Sequence, residues 1–136
     1  MGTHISGKLI DAKSTELRHG PSGAIIRTTA PVDNGGVGTQ FSPTDLCAAS
    51  LGACVMTIIG LYAEKHKIPL KGLNFELEKE MTTTAPRRIS KLIASFILQT
   101  DCSEEDFKRL VRAGQTCPVR HSLLEDIDVR ENYVRA

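Results

Sequence analysis

The chain of 136 residues is 40% hydrophobic and 24% charged, the profile of one ordinary globular domain rather than of a disordered or fibrous chain. Seventeen basic residues stand against sixteen acidic ones for a net charge of +1, with no dense Lys/Arg block, so neither nucleic acid nor an acidic membrane surface is an expected partner. Aromatic residues make up 4% and Trp is absent, which leaves little from which to build a base-stacking platform.

The opening residues, Met1 to Lys8, carry neither a basic leader nor an apolar run, so no secretory signal is expected. Four cysteines without a C-x-x-C pair are too few for a disulfide-stapled secreted domain and point to a cytoplasmic protein with reduced thiols. The alternation in the first thirty residues predicts two strands, Ile5 to Ser14 and Ala24 to Ala30, joined through Arg18-His19-Gly20-Pro21-Ser22-Gly23. A glycine-rich loop, Pro31 to Phe41, follows.

Ser42-Pro43-Thr44-Asp45 then has the signature of a helix start: a capping serine, proline at the first helical position and an acid at the third. The helix is expected to run to about Lys67, since Pro69 cannot continue it. Its uncharged stretch, Leu46 to Tyr62, is at the short limit for a membrane span. It reads better as a core helix, apolar on every side and therefore buried on every side. A chain this small is hard pressed to surround such a helix alone, so a second subunit is expected to complete its cover.

Leu73, Phe75 and Leu77 alternate with polar residues, and Ile89 to Thr100 is the strand predicted to pair with them. Ser103 caps a second helix ending near Gly114, Cys117-Pro118 opens a short third helix to about Leu124, and Ile127 to Val134 is the last strand. The result is a single domain over residues 1–136, α+β, in the order β-β-α-β-β-α-α-β.

The candidate chemistry lies in the thiols. Cys47 and Cys102 read as small core residues. Cys117 stands at a helix start, where free N–H groups and the helix dipole favour a thiolate, with Arg120 and His121 one turn on; electrostatics alone therefore predicts it to be the more acidic thiol. Cys54, mid-helix among apolar residues, is expected to need a cation from elsewhere to ionise.

Ser42-Pro43-Thr44-Asp45-Leu46 leading into Leu51-Gly52-Ala53-Cys54, followed by Cys117-Pro118-Val119-Arg120-His121-Ser122-Leu123, resembles the OsmC/Ohr family across almost the whole chain. The resemblance implies an intertwined homodimer with a long central helix. It also implies a thiol-dependent peroxidase that reduces organic hydroperoxides, with Cys54 as the peroxidatic and Cys117 as the resolving cysteine, joined in a disulfide during turnover. Arg18 matches the activating arginine. Thr44, Asp45, Leu51 and His121 are expected near the site.

No metal or organic cofactor is implied, and an external dithiol, lipoyl-type or thioredoxin-like, is the implied reductant. In one respect the sequence departs from the hydroperoxide-resistance branch: that branch has a glutamate directly after the helix-opening proline to hold the arginine, and here the position is Thr44. Two competing readings remain on residues alone. One is a metal site founded on Cys117 and His121, which supplies only two ligands. The other is a non-catalytic module holding a small apolar ligand between subunits.

Overall fold

The computed structural model describes residues 1–136. Near the N-terminus the Asp11 carboxylate accepts a hydrogen bond from the Lys13 amide at 2.8 Å, an Asx turn that folds the chain back on itself. The strand expected over Ile5 to Ser14 therefore ends at Asp11 as β1 (Ile5–Asp11), an additional strand β2 (Ser14–His19) takes in Arg18 and His19 of the expected connecting loop, and β3 (Ile25–Thr29) follows. They form an antiparallel sheet in the order β1-β2-β3. The expectation of two N-terminal strands is corrected to three.

The register places Leu9 opposite Thr15, Gly7 opposite Leu17, and Leu17 opposite Ile26. Ile5, Leu9, Leu17 and Ile26 thus share one face, and Lys8, Glu16, Arg18 and Arg27 share the other. On the charged face Glu16 bridges Lys8 at 3.6 Å and Arg27 at 3.2 Å, and the Arg27 hydrogen bond holds its carboxyl below the usual range. The apolar face is largely uncovered, with Ile5, Leu9 and Ile26 all exposed. This sheet, a short 3₁₀ turn at Val32–Asn34 and the first turn of the long helix make up one unit, Met1–Cys47; Ala48–Ala136 make up a second.

Helix α1 (Pro43–Lys65) crosses from the first unit into the second. Ser42 and Asp45 close a reciprocal capping box: the Asp45 amide donates to Ser42 Oγ at 3.1 Å and the Ser42 amide to Asp45 Oδ2 at 3.0 Å, which satisfies two amides that a helix start leaves unpaired. At the other end Lys67 takes a left-handed conformation with φ 55°, and the Ile68 amide reaches back to the Ala63 carbonyl at 2.9 Å, a Schellman-type stop.

In the second unit β4 (Gly72–Met81), β5 (Ile89–Gln99) and β6 (Asp128–Arg135) form a sheet in that order, with β5 and β6 parallel. The two helices α2 (Glu104–Gly114) and α3 (Pro118–Ser122) lie in the crossover between them. One face of this sheet carries Leu73, Phe75 and Leu77 from β4, Leu92, Ala94, Phe96 and Leu98 from β5, and Val129, Glu131 and Tyr133 from β6. Against it pack Ala48, Leu51, Val55, Ile59 and Ala63 of α1 and Leu110 of α2, all in one buried cluster.

Close approach sets the residue types at the contact. A Cβ on Gly52 would stand 2.4 Å from the Phe75 ring. Only one side of α1 is covered this way: Cys47, Ala53, Thr57 and Leu61 on the other side are exposed. By length and composition α1, with mean hydropathy 2.0, is also long and apolar enough to cross a membrane. Gly52→Ala is expected to destabilise the chain by about 1–3 kcal/mol through overpacking against Phe75, read as a lowered melting temperature; an unchanged melt would show that the ring yields freely.

Candidate functional site

Cys54 lies on α1 beside two core residues, Leu51 and Val55, both fully buried, and is itself half-buried. Cys117 caps the start of α3. The corner before it is drawn onto α1 by Gly114, where a Cβ would meet Ile59 at 3.0 Å and Val55 at 3.1 Å. The outcome is that Cys54 and Cys117, distant in sequence, are immediate neighbours. They are free thiols, close enough that Cys54 acts on Cys117 by direct contact and by charge.

Cys117 is completely buried. Its Sγ accepts the Arg120 amide at 3.5 Å, so the helix-start N–H effect is present, yet burial pushes the thiol up and the neighbouring Cys54 adds to the rise. The expectation that its helix start makes Cys117 an acidic thiol is therefore corrected: desolvation of the charged form outweighs a helix of only five residues.

The Arg120 side chain does not turn to the sulfur. It pairs with Glu131 of β6, whose side chain is only 4% exposed. Burial raises the Glu131 carboxyl, and the Arg120 charge opposes that rise. Two residues on, Tyr133 stacks on Phe96 with ring centroids 5.1 Å apart. Its hydroxyl and Glu131 Oε2 are buried and neither makes a well-formed hydrogen bond, although the two side chains act on each other and the hydroxyl also feels the charges of Arg120 and Cys117. Burial raises the phenol strongly. Neither Glu131 nor Tyr133 stands out in the sequence; the inward-facing alternation Val129, Glu131, Tyr133 is the only signal that could have pointed to them.

Other expected site residues fall as follows. Leu51 is in the core one turn before Cys54. His121 is exposed on α3, beside a shallow groove of about 350 Å³ that it lines with Arg120, Leu123, Leu124 and Ile127. Thr44 and Asp45 belong to the first turn of α1, where Asp45 serves the capping box and Thr44 Oγ1 lies 3.3 Å from Ser42 Oγ. Arg18 is exposed on β2, paired in register with Ser6 and Ile25. Cys102 is half-buried, with Arg135 Nη1 at 4.0 Å from its sulfur; Cys47, expected as packing, is exposed in this chain. No group of three or more His, Cys, Asp or Glu side chains converges as metal ligands would.

The fold coincides with that of a known family. The family model of OsmC-like proteins matches residues 36–132. This chain belongs to the OsmC family. A protein from Psychrobacter arcticus linked only by its name to osmotic stress and detoxification is 32% identical, and its structure superposes with a TM-score of 0.86 over 97% of this chain and 94% of its own. The organic hydroperoxide resistance protein OsmC of Legionella pneumophila shares the fold at 19% identity, with a TM-score of 0.74 over 100% of this chain and 98% of that one. An organic hydroperoxide resistance protein from Elizabethkingia anophelis, crystallised with thiocyanate, shares it at 14% identity and a TM-score of 0.79, over 100% and 97% of the two chains. No curated protein matches the sequence.

The buried Tyr133 hydroxyl yields a stability prediction. Tyr133→Phe is expected to leave the melting temperature unchanged or raise stability by up to about 1 kcal/mol, because the hydroxyl is desolvated without gaining a well-formed bond. A clear loss would reveal a partner for it.

Proposed function

We propose that this OsmC-family chain is a thiol-dependent peroxidase that reduces organic hydroperoxides to alcohols. The observation that supports it is the contact between two free thiols, Cys54 and Cys117, inside a fold shared with proteins named for hydroperoxide resistance. The Cys54 thiolate attacks the terminal peroxide oxygen. An S–O bond forms, the O–O bond breaks, and the alkoxide leaves as alcohol after taking up a proton, which leaves Cys54 as a sulfenic acid. Cys117 then attacks that sulfur: the S–S bond forms, the S–O bond breaks, and the hydroxyl departs as water with the Cys117 proton. An external dithiol, lipoyl-type or thioredoxin-like, exchanges with the disulfide and restores both thiols.

Arg18 is the proposed cation that holds Cys54 as thiolate and polarises the peroxide. Such chemistry runs where thiols are kept reduced, as in the cytoplasm. The working form is proposed to be a homodimer. In its favour are the uncovered apolar face of the β1-β2-β3 sheet and the uncovered side of α1, each of which a second copy of the chain would bury.

One equivalent of an alkyl hydroperoxide is expected to remove two free thiols per chain. Cys54→Ser should abolish peroxide consumption, while Cys117→Ser should complete one turnover and hold a sulfenic acid that a dimedone-type probe traps. A wild-type thiol count that does not fall would favour a ligand-binding module instead. On the assembly, sedimentation at micromolar concentration is expected to give a dimer, and Leu61→Arg, which puts a charge on the open side of α1, is expected to shift it towards monomer. A monomeric wild-type chain would end the homodimer proposal.

A further inference from the structure

Glu131 carries a carboxylate, and its side chain is only 4% exposed. A carboxylate almost wholly out of water is unfavourable unless every lone pair is used, yet Oε2 makes no well-formed hydrogen bond and has only the Tyr133 side chain acting on its carboxylate. An apolar residue in its place, continuing the run of Val129 and Tyr133, would pack with no such cost. What Glu131 does is hold Arg120.

The position of Arg120 makes that grip consequential. Cys117 is the capping residue of α3, and Arg120 is the third residue into the helix, with its amide already on the Cys117 sulfur. From that position a long side chain can fold back over the capping residue, as a glutamate does in a capping box. A guanidinium folded back there would sit by the sulfur and favour its thiolate. Glu131 draws it to β6 instead.

We propose that Glu131 is a positioning residue that withholds the Arg120 guanidinium from Cys117 and so keeps Cys117 a neutral thiol while Cys54 reacts. The inference rests on the two-thiol reading for its purpose, but not for its physics. The titratable groups that act on Cys117 are Cys54 from α1 and Tyr133 from β6, while Arg120, whose amide reaches the sulfur, has its guanidinium on Glu131. On the same sheet face Ala94 and Phe96 of β5, and at the end of α2 Ala113 and Gly114, bring none. The charge balance at this sulfur thus turns on where Arg120 points. With Cys117 neutral, peroxide meets a single nucleophile, and the order of the two thiols is fixed before any oxidant arrives. Burial of Cys117 acts in the same direction.

The test uses the full chain with Cys47, Cys54 and Cys102 replaced by serine, so that Cys117 is the only thiol. Its ionisation is followed by thiolate absorbance and by the pH dependence of alkylation with a small reagent. Glu131→Gln is expected to lower the Cys117 midpoint by about one to two pH units, the usual effect of a nearby opposite charge, and to speed alkylation at neutral pH correspondingly. Adding Arg120→Gln should restore the high midpoint, which a merely structural role for Glu131 would not do.

A midpoint that stays or rises in Glu131→Gln, or a fall that survives Arg120→Gln, overturns the proposal. If Glu131→Gln does not fold, Arg120→Gln alone is measured. There the midpoint is expected to stay high, and a fall would overturn the proposal. No peroxide enters this experiment, so failure of the native chain to consume hydroperoxide would count against the function and leave the titration result standing.

Discussion

The site depends on how closely α1 approaches the sheet and the α2–α3 corner. Gly52 admits the Phe75 ring and Gly114 admits Ile59 and Val55. A side chain at either place would push apart the surfaces that carry the two sulfurs. Thiol chemistry between residues on different elements tolerates little such displacement, because a bridge requires Cα atoms within roughly 4.4–6.8 Å. The glycines are therefore part of the site although neither bears a reactive group.

Given that contact, the electrostatics follow from burial rather than from helix polarity. Cys117 has the features that lower a thiol: a capping position, an amide on its sulfur and an arginine one turn on. It is nevertheless raised, because burial disfavours its charged form and the neighbouring Cys54 adds to the rise. A short helix offers a weak partial charge, whereas full desolvation acts on the whole charge of the thiolate. The roles proposed for the two cysteines are compatible with their burial: the sulfur on α1 is half-buried, and that of Cys117 is fully enclosed.

Much of the fold was legible in the sequence because it rests on local signals. Ser42-Pro43 with Asp45 announced the start of α1, Ser103 that of α2, and the alternation from Leu73 to Leu77 that of β4. The N-terminal strands were misjudged because an Asx turn at Asp11 needs only one side chain and no glycine or proline to mark it. Of the site, the two cysteines were visible as motifs. Glu131 and Tyr133 were not, since only the β5–β6 register, with Ala94 opposite Glu131 and Phe96 opposite Tyr133, reveals that they point inward. A parallel pairing with a strand some thirty residues earlier leaves no local trace in either segment. The acidity of Cys117 differs from the sequence expectation for the same reason, because its determinants are burial and the approach of Cys54, which only the packed fold creates.

The two units share a feature that neither explains alone. A three-stranded sheet with one apolar face is marginal unless something covers that face, and β1-β2-β3 shows Ile5, Leu9 and Ile26 largely to solvent. The open side of α1 is likewise unlike a solvated helix face: Ala53, Thr57, Gly60 and Leu61 are small or apolar, where charged residues would be expected. Small residues on a helix permit close approach of another backbone, and an amphipathic sheet supplies a broad apolar surface. The net charge of +1 opposes self-association only weakly. Both surfaces are the ones that the proposed second copy of the chain would cover.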